Sequence, residues 1–274
     1  MQSKITIYTR TALILSLLLA VLRALCFLLY FDGKLGYFNP TFPVLVTNAL
    51  TCVSALWCAS ALFFLPKDTI ATKRLTDAPI TKGVVAIAAT LVMGAGIGLV
   101  ITNVSSGNRL ALICGCLILA GSAFVWSRVA DLSTKNAQPI LGMLLILGLL
   151  FVLITSHFDM FVTINSPIKT GLHLSVIAAA LFLLTELRFL FEDEMPRAGL
   201  AAKLLTVLFC FPTATGHLAL YFSGNAPARS QETLTPFFSL ALLGLSIFAA
   251  ARLFAVRAVL ATSQEDEEKE IEKI

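Results

Sequence analysis

The sequence predicts an all-α bundle of eight transmembrane helices, a polytopic integral membrane protein, and three observations carry that prediction. Hydrophobic residues make up 58% and charged residues 13% of the 274, with a mean hydropathy of +0.89; a soluble domain is about half apolar and about a quarter charged. The apolar residues fall into eight runs long enough to cross a hydrocarbon core, which takes about 20 residues at about 1.5 Å of rise each. Runs such as Gly142 to Leu153 lack the alternation of barrel strands. The same composition excludes a disordered chain, a disulfide scaffold, a coiled coil and a nucleic-acid-binding module.

The first span covers Ile7 to Phe31. Lys4 and Arg10 precede its apolar stretch as they would that of a secretory leader, but Arg23 interrupts the stretch and no small-residue cleavage site comes before Asp32, so a retained span is expected. After the Asp32-Gly33 turn, the second span runs from Phe42 to Leu65. The third, Gly83 to Thr102, contains Gly94 and Gly98 at the spacing that admits a close neighbouring helix. The fourth, Leu110 to Ala130, follows Gly107-Asn108, and the fifth, Pro139 to Ser156, is the shortest.

The sixth span, Pro167 to Phe191, and the eighth, Leu234 to Leu260, hold Ser166-Pro167 and Thr235-Pro236 at their starts. In each pair a hydroxyl caps the helix, and a first-turn proline forfeits no hydrogen bond. The seventh span, Gly199 to Phe222, holds Pro212 with Gly216 one turn later, and a kink is expected there. Gln264 to Ile274 is an acidic tail in which Glu265 and Lys269 can pair as a helix end.

Basic residues mark the cytoplasmic side. Every Lys and Arg falls on one side of the eight spans except Lys34, Arg109, Lys169 and Arg229 on the other and Arg23 within the first. Both termini are therefore expected to be cytoplasmic, and the net charge of +4 is a topology signal. All six cysteines lie within spans, as small packing residues do. Phe31-Asp32 with Pro40 is echoed by Phe158-Asp159 with Pro167, and Gly115 with Arg128 by Gly244 with Arg257. These matches suit a 4+4 parallel repeat, and equally suit coincidence in so restricted an alphabet.

The first outer loop, Asp32-Gly33-Lys34-Leu35-Gly36-Tyr37-Phe38, resembles the D-x-x-x-G-aromatic-Phe loop of uncharacterised bacterial multi-span membrane proteins. The resemblance implies a bacterial plasma-membrane location and carries no activity.

Ionisable residues within spans are costly and mark function unless they reach the interface. Arg23 lies too deep to do so; it is expected either to stabilise the bundle, through an ion pair with Asp32 or Asp159 or through hydrogen bonds to carbonyls, or to bind an anionic or polar solute. Glu186 lies near the opposite face and is expected to pair with Arg128 or Arg252. His157, His173 and His217 all fall near the outer ends of their spans, where with Asp159, Asn165, Thr215 and Tyr221 they would line a polar vestibule beside Pro212 and Gly216. Zinc is not expected on them, since no helix carries a His-x-x-x-His pair. Cys114-x-Cys116 points its thiols to opposite sides of a helix, a poor metal geometry, and no nucleotide or nucleophile motif is present, so no cofactor is expected.

The solute-binding candidates are Arg23, Asp159, His173, Thr215, His217 and Tyr221, and the expected function is a small-solute permease with its site in the outer half. The expected partners are the lipid bilayer, a small polar or anionic solute, and no nucleic acid. A non-catalytic subunit associated with other membrane subunits is the alternative reading, and a metal-dependent membrane hydrolase a third.

Overall fold

A helix satisfies its own backbone inside hydrocarbon, and eight helices do so in the computed structural model. They are α1 Gln2–Tyr30, α2 Phe42–Phe64, α3 Pro79–Ser106, α4 Arg109–Ala130, α5 Ala137–Phe158, α6 Pro167–Leu190, α7 Pro196–Phe222 and α8 Pro236–Phe254. All eight are long and apolar enough to cross a membrane. The structure describes residues 2–33, 35–65, 70–72, 79–106, 108–130, 137–159, 165–191, 195–224 and 236–258; the acidic tail from Gln264 and the Leu234-Thr235 start of the eighth span lie outside them.

Two short ribbons complete the described chain. β1, Phe31–Asp32, pairs antiparallel with β2, Tyr37–Phe38, and β3, Ile70–Thr72, pairs antiparallel with β4, Val256–Ala258. The second ribbon changes the expected eighth span: α8 stops at Phe254 instead of running to Leu260, because the backbone beyond it pairs with the α2–α3 connection.

Helix α7 is the hub. It packs along α1, α2, α6 and α8, and 72% of its most apolar window is buried, against 22% for α2. The sequence α3, α4, α5, α6, α7, α8 closes on itself through the contact of α8 with α3, while α1 and α2 sit on the outer flank of α7. Two equivalent halves would pack α5 along α3 as α1 packs along α7; instead the main neighbours of α3 are α4 and α8. The packing therefore does not follow a 4+4 repeat.

Glycines set the closest approaches. A Cβ on Gly96 would sit 2.7 Å from the Leu119 backbone, and one on Gly121 would sit 2.5 Å from Leu145 Cα, so α3 meets α4 and α4 meets α5 almost backbone to backbone. Within the third span the contact falls on Gly96 and on Gly98, which faces Phe237 of α8, whereas Gly94 faces open space. Among the cysteines, Cys114 is buried and Cys116 exposed, as opposite helix faces require.

At the end of the bundle where α4, α6 and α8 stop, the near end, Glu186 is fully buried. Its carboxylate lies 2.8 Å from Arg252 Nε, 3.4 Å from Lys203 Nζ and 3.8 Å from Arg128 Nη2. The guanidinium carbons of Arg252 and Arg128 also stand 4.9 and 5.2 Å from the centre of the Phe189 ring. One carboxylate thus joins α4, α6, α7 and α8; both expected arginines are present, and Lys203, which the sequence placed only among the basic residues of one side, is a third member.

Candidate functional site

At the opposite, far end, α1 carries Arg23 at seven residues, roughly 10 Å, below its last residue Tyr30. Arg23 is half-buried and its partners are neutral. Nη1 donates to Asn48 Oδ1 at 2.9 Å, Nη2 donates to the Pro167 carbonyl at 3.4 Å, and the Phe27 and Phe38 rings stand 5.5 and 5.3 Å from its guanidinium carbon. Among the described residues no carboxylate comes within ion-pair distance of it.

The expected pairing with Asp32 or Asp159 is therefore corrected. Asp32 turns into its own hairpin, where Oδ1 accepts from the Leu35 amide at 3.2 Å and its carbonyl accepts from the Gly36 amide at 2.8 Å. Asp159 lies at the end of α5, where its carbonyl accepts from Lys169.

The guanidinium faces a cavity of about 490 Å³. One wall is a helical stripe on α2 made of Val44, Leu45, Asn48, Thr51 and Cys52; the facing wall is Pro167, Thr170, Gly171 and Leu174 on α6. Leu208, Phe209, Pro212 and Thr213 of α7 form the floor, Leu19 of α1 its deep end, and Tyr37 and Phe38 of the hairpin its roof.

The hairpin is held there by local chemistry. Gly36 takes a left-handed backbone conformation with φ of 73°, and its carbonyl accepts from Ser166 Oγ at 2.9 Å. The same Ser166 caps α6 by accepting from the Ile168 amide at 3.3 Å.

Pro212 deprives the Leu208 carbonyl of its helical donor, yet α7 is continuous from Pro196 to Phe222. Neighbouring hydroxyls stitch the stretch to α6: Ser175 Oγ donates to the Phe209 carbonyl at 3.0 Å, and Thr213 Oγ1 to the Gly171 carbonyl at 3.3 Å. Gly216 gives α1 its room on α7, since a Cβ there would lie 2.9 Å from Phe27 Cδ2 and 3.1 Å from Arg23 Cγ.

The remaining sequence candidates separate. His217 is buried edge-on to Phe27, with ring centres 5.9 Å apart, behind the cavity wall. Thr215 spends its hydroxyl on the Phe211 and Pro212 carbonyls of its own helix, and Tyr221 is exposed and packs edge-on against Phe222.

His173 shares a hydrogen bond with Ser156 at 2.9 Å, and its ring centre lies 6.0 Å from that of His157, between α5 and α6. There Lys169, 1% exposed, caps α5 by donating to the carbonyls of His157 and Asp159. The vestibule of three histidines does not form: two stand at the α5–α6 seam and one at the α1–α7 seam. Among the described residues no three His, Cys, Asp or Glu side chains gather as a metal site would need.

Sequence reasoning passed over Asn48. The available signal was its position: it is the one amide or charged side chain in α2, six residues from the far end and so at nearly the depth of Arg23. No protein family, no curated protein and no solved structure matches this chain. What its eight apolar spans establish is a multi-pass membrane protein.

Proposed function

We propose that this chain is a permease whose ligand carries an anionic group that docks on Arg23. The observation that carries the reading is a guanidinium with only neutral partners, presented to a cavity of about 490 Å³ large enough for a small ligand. A structural arginine in hydrocarbon pairs with a carboxylate, as Arg252 does with Glu186, or with backbone carbonyls, of which Arg23 meets one, at 3.4 Å. An arginine fork left for a ligand recognises carboxylate or phosphate through paired hydrogen bonds. The distribution of basic residues makes the far end the outer one, so the site belongs to the outer half of the bundle.

The test is movement of anions across proteoliposomes, using labelled small carboxylates, inorganic phosphate and a fluorescent short-chain phosphatidic acid. At least one moves faster than through protein-free vesicles, and Arg23→Gln abolishes the gain. No acceleration of any of them, or acceleration indifferent to Arg23→Gln, overturns the reading.

The thin packing of α2 favours a second reading, an accessory subunit of a larger complex. α2 is held mainly by α1 and α7, partly through the Tyr8–Trp57 stack at 4.9 Å and the hydrogen bond between Tyr8 and Ser60 at 2.8 Å, and much of its surface is open. The native mass of the gently extracted protein separates the two: a second polypeptide in the particle supports the subunit.

A further inference from the structure

The cavity has a shape that says from where its ligand comes. Its two walls belong to α2 and α6, which are joined through α7 at the floor, so the side away from α7 is open. Leu45, Cys52 and Leu174 line the cavity and are also exposed. Cys52 lies ten residues, roughly 15 Å, inside α2, and Leu174 lies seven residues, roughly 10 Å, inside α6. Residues exposed at that depth face hydrocarbon.

Above them the far end is roofed by the hairpin, with Tyr37 and Phe38 over Arg23 and Ser166 fastened to Gly36. The cavity therefore also opens sideways into the bilayer beneath the hairpin. Its lining is mixed as well: Arg23, Asn48, Thr51 and Thr170 are polar, and Leu19, Val44, Leu45, Leu174 and Leu208 are apolar.

We propose that the ligand is an anionic amphiphile drawn from the bilayer itself. Its phosphate or carboxylate sits on Arg23 and Asn48, and its chain leaves between α2 and α6 past Leu174. This rests on the reading of Arg23 as an anion site and names the class of anion. A water-soluble anion would leave the apolar lining and the lateral opening unused. A membrane lipid enters by lateral diffusion and meets the charged and the apolar lining at once. Because Arg23 lies roughly 10 Å below the end of α1, the headgroup is taken below its usual level, which only a fixed cation and its amide neighbour would stabilise.

The experiment titrates the purified full chain, stripped of lipid in a neutral detergent, and counts adducts by native mass spectrometry. The probes are phosphatidic acid, phosphatidylcholine of the same chains, and sodium phosphate. One saturable phosphatidic acid adduct is expected, at least about tenfold tighter than phosphatidylcholine, with no effect of sodium phosphate. Arg23→Gln weakens it by about tenfold or more, the loss expected for a charge-assisted pair. Leu174→Trp, on the lipid-facing rim and away from the core, weakens it without touching the cation, and so serves if the arginine variant does not fold.

Equal affinity for the two lipids, or a phosphatidic acid adduct indifferent to both variants, overturns the proposal. Competition by sodium phosphate without a lipid preference also overturns it, while leaving Arg23 as an anion site. Indifference to every probe removes both readings.

Discussion

Replacing Glu186 by Gln keeps the side-chain volume and removes the negative charge shared by two buried cations, Arg252 and Lys203, and a partly exposed third, Arg128. At an effective dielectric of about 20, contacts of 2.8, 3.4 and 3.8 Å correspond to about 4 to 6 kcal/mol of attraction apiece. Burying the carboxylate offsets several kcal/mol of this. The net loss on removing one partner from such a buried network is about 3 to 5 kcal/mol.

The assay is unfolding by added SDS in mixed micelles, followed by tryptophan emission. Trp126 lies two residues from Arg128 and reports on this end of the bundle. The double variant Glu186→Gln with Arg252→Gln discriminates further. It removes the closest pair together, so it recovers about 1 to 3 kcal/mol relative to the sum of the single losses. A loss below about 1 kcal/mol for Glu186→Gln, or strictly additive losses, would refute the view that this carboxylate holds four helices together.

Two further outcomes test the packing. Gly121→Ala places a Cβ 2.5 Å from the Leu145 backbone, which cannot rotate away as a side chain could; α4 and α5 are forced apart, and the same unfolding assay registers a loss of about 1 to 3 kcal/mol or more. Ser166→Ala removes both the α6 cap and the tie to Gly36, costing about 1 kcal/mol overall. Hydrogen exchange localises that loss, with faster exchange at the Gly36 and Asn39 amides and little change at the near end.

The fold class was legible because hydropathy and length are one-dimensional quantities, and the bilayer converts them directly into spans. The Ser166 cap was legible for a similar reason, since the serine and the amide it caps are neighbours in sequence. Partnership across the bundle was not. Arg23 looks equally close to Asp32 and Asp159 when only depth is known, but the direction of its side chain around α1 decides the matter, and that direction points to Asn48. Depth alone grouped the three histidines, and the azimuth of each helix separated them. Lys169 reads as a loop charge until the end of α5 is seen to need a donor for its last carbonyls. For Glu186 depth sufficed, because its arginines lie at the same end of the bundle and little else there is acidic within a span.

The central position of α7 bears on how the chain is made. α1 and α2 enter the membrane first, but the helix against which both pack begins at Pro196, long after them in order of synthesis. Until then Arg23 stands in lipid, where an arginine costs at most the roughly 2.5 to 3.5 kcal/mol that insertion scales assign to the centre of a helix. The Pro167 carbonyl arrives only with α6. Asn48 arrives with α2, as the second half of the first helical pair, and accepts from the guanidinium at 2.9 Å. The first two spans thus carry their own interim solution to the buried charge. Loss of the Asn48 amide would be felt during biogenesis, as slipped or partial insertion of α1, before it was felt in the finished protein.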